Sequence, residues 1–196
     1  MIIREAISYP ELHQVYKLTH DAYVDKGYIE PRCDDLLIHY PNLERIKETT
    51  VLIAEENGQI IGTNSLTLDN EFGLHCERDF PLQVMQERLT GLPLCCSWRI
   101  VTRKDIRDDW RIVYALIKAT TQKIIQLKYR ILLMTFHPMD ALRYLRILNA
   151  EVDGFCHNVA GLHNAPALLV RGDVLNFPYK LTRNINELTQ GENHVV

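Results

Sequence analysis

Apolar residues fill positions 94–101 almost without a break, interrupted only by Ser97 and Arg99. They then recur at Val113, Leu116, Ile117, Thr120, Ile124 and Leu127. The first pattern predicts a buried strand, the second a long helix with one apolar face. Asp108 or Asp109 can cap that helix by accepting a backbone N–H bond. An equally clear signal lies upstream: Thr50–Glu55 and Ile60–Leu68 are strand-like, and Asn57-Gly58 between them is a tight-hairpin dipeptide.

The remaining elements follow in order. Met1–Ile7 reads as a short strand. Ser8 and Glu11 form a capping box for a helix running to about Tyr23. A second helix is expected within Asp34–Lys47, interrupted or restarted at Pro41. Asp69–Thr90 is a loop followed by a short helix at Pro81–Arg88. Ile131–Phe136 is a buried strand, Met139–Leu148 a helix, and Glu151–Val159 and Pro166–Val170 two last strands. The tail from Asn184 is polar and expected to fray. This order predicts one domain of the α/β or α+β class, a mixed sheet with helices on both faces.

Composition narrows the function. The chain has 196 residues, 46% hydrophobic and 24% charged, which suits an ordinary folded protein. A net charge of −3 argues against nucleic acid as the main partner. No apolar run approaches a membrane span, and the start MIIREAISY has no signal-peptide pattern. The five cysteines include no CxxC pair, and His75, His157 and His163 show no HxxxH or HExxH spacing. Neither a metal site nor a disulfide framework is therefore expected, and the chain reads as a reduced, cytoplasmic protein. Cys95 and Cys96 have no visible basic partner and read as small hydrophobes rather than nucleophiles.

The turn between the central strand and the long helix carries the candidate chemistry. A helix N-terminus at the end of a strand is a natural anion site. The turn itself, Thr102–Asp108, contains no glycine, so its backbone is not a bare pyrophosphate cradle. Arg103, Lys104, Arg107, Arg111 and Lys118 surround it, with Arg107, Arg111 and Lys118 expected on one helix face. Such a face suits a phosphopantetheine arm delivered by an acidic carrier protein. Because Asp105, Asp108 and Asp109 interleave the cations, it is equally the pattern of a merely solvated surface.

Four fragments in order, HDAYVDKGYI, AEENGQIIGTNSLTLD, FGLHCERDFP and SWRIVTRKDIR, resemble the long-chain N-acyl amino acid synthases recovered from soil DNA. That family is similar to the acyl-homoserine-lactone synthases and to the GNAT acyl-CoA N-acyltransferase fold. The resemblance implies transfer of a long-chain acyl group from acyl carrier protein to the α-amine of an amino acid, tyrosine by analogy. It implies no tightly bound cofactor, since phosphopantetheine arrives on the carrier. It also gives the glycine-free basic turn a role as a docking surface. One departure stands out: where autoinducer synthases place a glutamate on the central strand, this chain has Cys95 and Cys96.

Aminolysis of a thioester needs a proton acceptor, an oxyanion contact and an oriented amine. Glu77 is the first candidate base, with Asp21 and Asp25 as competitors. Backbone N–H groups at Cys96 and Ser97 can face the oxyanion if the neighbouring strand splays away. Arg99, charged within an apolar strand, needs a partner, which Glu77, Asp21 or the substrate carboxylate can supply; it can equally brace the N-terminal segment. Trp98, expected on the face opposite Arg99, can line a pocket with Tyr23, although core packing serves each as well. His137 ends a strand at the ligand side of the sheet. Two rival functions stay open: an autoinducer synthase using S-adenosylmethionine, and a non-catalytic acyl-binding module.

Overall fold

A computed structural model describes residues 1–107 and 109–183. The expected tail from Asn184, and Asp108 as a helix cap, lie outside them. Seven strands form one sheet: β1 (Ile2–Glu5), β2 (Thr49–Glu56), β3 (Gln59–Leu68), β4 (Leu94–Thr102), β5 (Ile131–Phe136), β6 (Glu151–Cys156) and β7 (Ala167–Asp173). Their spatial order is β1-β2-β3-β4-β5-β7-β6. Only β4 and β5 are parallel; all other neighbours are antiparallel. The helices are α1 (Tyr9–Asp25), α2 (Pro81–Leu89), α3 (Trp110–Gln126), α4 (Pro138–Leu148) and the short α5 (Tyr179–Thr182).

Strand alternation assigns the helices to faces. Val51 and Ile53 of β2 pack on Val15 and Tyr16 of α1. Leu52 and Ala54, between them, pack on Ile112 and Leu116 of α3. The same division continues along β4 and β5. Cys96, Ile131 and Leu133 meet Val84 of α2, whereas Cys95, Leu132 and Met134 meet α3 and α4 through Val113, Ile117, Tyr144 and Leu148. The hairpin turn has both Asn57 and Gly58 at positive φ, the conformation that matches the twist of paired strands. At Gly62 an added Cβ would meet Ile112 Cγ2 at 3.1 Å, so α3 sits directly on the β3 backbone.

The helix expected within Asp34–Lys47 does not form. Asp34 accepts the Leu36 N–H in a local turn, and Asp35 has φ +52°, which ends any helical path. The segment instead runs as a coil that buries Leu37, Leu43 and Glu44 separately.

The capping box at Ser8 is present. Glu11 accepts the backbone N–H groups of Ile7 and Ser8 at 2.8 Å each and pairs with Arg4 at 2.6 Å. Together these hold its carboxyl down to about 2, from the usual 4.5. A depressed folded-state value means that the stabilisation is complete above the unfolded value and is lost as pH falls through the folded one. Thermal melts of Glu11→Gln are expected to show a deficit at neutral pH that closes between about 4.5 and 2. A deficit constant with pH would show that the charge contributes nothing.

Candidate active site

The site begins where β4 and β5 part. Their ladder runs from Leu94↔Ile131 to Ser97↔Met134 and stops, although β4 continues to Thr102 and β5 to Phe136. On its other edge β4 carries an irregularity, with Thr63↔Val101 and Ser65↔Trp98 leaving Arg99 and Ile100 opposite the single residue Asn64. Arg99 there has φ +58°, a conformation strained for a non-glycine residue. This bulge breaks the alternation expected of Trp98 and Arg99. Both side chains end on the α1 side of the sheet, with the guanidinium 4.6 Å from the Trp98 ring centroid.

Arg99 is fixed from several sides. It pairs with Glu44 and donates to Ser65 Oγ through Nε and Nη2 at 3.1 and 2.7 Å. The side chains of Arg99 and Glu44 are only 0% and 3% exposed. Of the partners expected for Arg99, neither Glu77 nor Asp21 is the one found. The coil that replaced the expected helix supplies the carboxylate, and no local pattern marks Glu44 as a site residue.

The gap opens into a cavity of about 420 Å³, within the usual range for small-molecule pockets. One wall is apolar and made by Val113, Ile117, Leu132, Met134, Tyr144 and Leu148. The opposite wall is aromatic, built from Tyr23, Tyr28, His39, Tyr40, His75 and Trp98. Tyr40 sits edge-on to both His75 and Trp98. A buried polar chain on the α3 side of the sheet also lines the cavity. Ser97 donates to Asn64 Oδ1 at 2.9 Å, and Asn64 donates to Thr120 Oγ1 at 2.7 Å.

The imidazoles in the aromatic wall are held neutral. His39 bonds Tyr23 Oη through Nδ1 at 3.2 Å, and burial pushes it down to about 3, with Arg99 and Arg78 adding repulsion. Burial likewise takes His75 to about 3. His137 lines the cavity and caps α4, its Nδ1 accepting the Met139 N–H at 3.3 Å. With Nδ1 as acceptor, the neutral ring carries its proton on Nε2 and offers a donor.

Several site residues expected from the sequence therefore gather at this cavity: Tyr23, Ser97, Trp98, Arg99, Arg107 and His137. Cys96 packs into the core between β4 and α2 instead. Cys96 and Ser97 also remain within the β4–β5 ladder, so the β4 backbone without a β5 neighbour begins at Trp98. Glu77 does not line the cavity. Its carboxylate binds Arg88, which holds it below the usual range, and it accepts the Leu74 N–H. It braces the loop before α2.

The basic group also divides. The helix starts at Trp110, capped by Asp109, so Arg107 lies in the preceding turn rather than on one helix face with Arg111 and Lys118. Arg103 pairs with Asp105, Arg111 with Asp109, and Lys104 with Asp25. Arg107 also pairs with Asp25, at 2.6 Å, but its Nη2 is buried with no partner among the described residues. Arg143, stacked 4.4 Å over Trp110, joins Arg107 at the cavity wall. Sequence reasoning missed Arg143, His39 and Tyr40, which stand in no motif, and Asn64, which lies within the AEENGQIIGTNSLTLD fragment but carries no chemistry recognisable from sequence.

A mixed sheet parted between parallel central strands, with a helix N-terminus beside the gap, is the GNAT N-acyltransferase fold. An acyl-CoA N-acyltransferase from Pseudomonas aeruginosa shares it with TM-score 0.58 and 14% identity over 87% of this chain and 97% of that one. BjaI, a CoA-dependent acyl-homoserine lactone synthase, matches with TM-score 0.62 and 16% identity over 93% and 82%. FeeM, an N-acyl amino acid synthase from uncultured soil microbes, matches with TM-score 0.77 and 15% identity over 89% and 91%. The family model described as N-acyl amino acid synthase FeeM covers residues 14–173, and the chain belongs to that family. It is an acyltransferase. A sequence comparison with curated proteins returned no match.

Proposed function

We propose that the protein transfers a long-chain acyl group from acyl carrier protein to the α-amine of an amino acid, with tyrosine the favoured acceptor. The apolar wall carries this reading. It extends the cavity from the β4–β5 gap into the core between α3, α4 and β5, giving room that a short acyl group would leave empty.

The phosphopantetheine arm enters beside the turn before α3. Arg107 Nη2 and Arg143 meet its phosphate, and the thioester carbonyl lies at the gap. Arg103, Lys104, Arg111 and Lys118 face the acidic carrier; exposed pairs with Asp25, Asp105 and Asp109 are weak enough to exchange for carrier carboxylates. The amine nitrogen attacks the thioester carbon, a C–N bond forms, and the C–S bond breaks. The amine proton leaves with water and the thiolate takes one up. Backbone N–H groups from Trp98 onward, freed from β5, stabilise the oxyanion. His137 donates through Nε2, and the Ser97–Asn64–Thr120 chain orients the reacting groups. The aromatic wall takes the acceptor side chain. No bound cofactor takes part in this step, and the reading places the enzyme in the cytoplasm, where carriers and free amino acids meet. Among the described residues no helix is long and apolar enough to cross a membrane.

Steady-state kinetics with paired donors test the donor assignment. Arg107→Ala removes charge-assisted hydrogen bonds worth about 1.5–3 kcal/mol. It is expected to raise KM for acyl carrier protein about 10- to 100-fold with little change in kcat. Equal use of acyl-coenzyme A by the native enzyme, with no effect of Arg107→Ala, would overturn the carrier reading.

A further inference from the structure

Cys96, Cys76 and His75 form a second cluster, which the cavity touches only through His75. Cys96 Sγ lies 3.4 Å from Cys76 Sγ and 2.9 Å from His75 Nδ1. The three ligand-type atoms all lie within 4.8 Å of one another, and all three residues are buried. His75 Nε2 lies 3.0 Å from Thr135 Oγ1. If Nε2–H donates to that hydroxyl, the Nδ1 lone pair faces the sulfurs. Outer hydrogen bonds of this kind orient imidazoles that bind metals.

We propose that His75, Cys76 and Cys96 bind one zinc ion. The donor set of two thiols and an imidazole selects a thiophilic ion over magnesium or calcium. Charge selects a divalent one. Two thiolates and Zn²⁺ sum to zero, and the neighbouring core of Leu74, Phe80, Leu133 and Leu169 tolerates a neutral group far better than a residual charge. A monovalent ion would leave one negative charge. The spacing is close to what zinc needs. Two Zn–S bonds of about 2.3 Å at the tetrahedral angle separate the sulfurs by about 3.8 Å, and a Zn–N bond of about 2.05 Å puts sulfur and imidazole nitrogen about 3.6 Å apart. On loading, the sulfurs therefore part by about 0.4 Å and the Cys96–His75 pair by about 0.7 Å. The three side chains supply three of zinc's four positions.

The ion would tie the loop before α2 to the central strand. His75 stacks on Trp98 at 6.1 Å between centroids, so loading fixes a wall of the cavity without entering the transfer step. Motif spacing overlooks this set because Cys76 and Cys96 stand 20 residues apart on different segments.

Elemental analysis of the full chain, purified without chelator and incubated with zinc alone, is expected to give about one equivalent. Cys76→Ser and Cys96→Ser are expected to lose it, and Cys33→Ser, at an exposed thiol, to keep it. The native chain, stripped and given Co²⁺, is expected to show thiolate-to-cobalt charge transfer and tetrahedral d–d absorption. That result does not depend on whether the cysteine variants fold. Zinc at background level in the native chain, with no cobalt–thiolate band, would overturn the proposal. So would a Cys76–Cys96 disulfide in peptide maps of metal-free protein, which would identify the pair as a redox couple instead.

Discussion

Arg99→Ala is expected to destabilise the protein by about 3–5 kcal/mol. The change leaves the Glu44 carboxylate buried without its cation, and one of its oxygens already has no hydrogen-bond partner among the described residues. It also strips two donors from Ser65 and the guanidinium from Trp98. Lysine is a poor rescue, because one ammonium cannot reproduce the fork that spans Glu44 and Ser65. Urea unfolding checks the figure, and the double change Arg99→Met with Glu44→Leu separates two contributions. The double variant is expected to regain most of the loss, because removing both charges also removes their desolvation cost. It is not expected to regain activity, since the bulge that turns the β4 backbone to the cavity is held by Arg99. A loss below about 1 kcal/mol in Arg99→Ala would mean that the pair is effectively solvated.

Ile117→Trp is expected to shorten the acyl chain that the enzyme accepts. Ile117 is buried on α3 and lines the apolar wall, so the indole projects into the cavity rather than into filled core. Each methylene buried is worth about 0.8 kcal/mol, so excluding four from the cavity costs about 3 kcal/mol, or about 200-fold in kcat/KM. Transfer of a short acyl group from the same carrier is expected to persist, because the gap, the polar chain and Arg107 are unchanged. Competition between long and short acyl donors measures the switch. Equal loss of both donors would show that the tryptophan disturbed the gap itself and that the chain lies elsewhere.

The fold was legible wherever local rules agreed with tertiary packing. Asn57-Gly58 set the hairpin, the spacing from Val113 to Ile124 set α3, and Ser8 with Glu11 set the start of α1. The segment from Asp34 to Lys47 misled because its apolar residues sit at near-helical intervals while a positive φ at Asp35 breaks the path. That one segment also delivers Glu44, His39 and Tyr40, so the expectation of a helix there hid the Arg99 partner and much of the aromatic wall. Glu77 misled differently. A carboxylate in the excursion expected to lie beside the central strand in space looked like a base, but Arg88 takes it up in a brace outside the cavity. The Arg99 bulge was invisible because a two-residue period cannot announce where it fails.

Product mass spectrometry after mixing the protein with long-chain acyl carrier protein and all twenty amino acids tests the proposed function most directly. The expected result is an N-acyl amino acid, N-acyl tyrosine foremost, with free carrier thiol released in equal amount. An acyl lactone formed only when S-adenosylmethionine is added, or no acylated product from either carrier or coenzyme A donors, would contradict it.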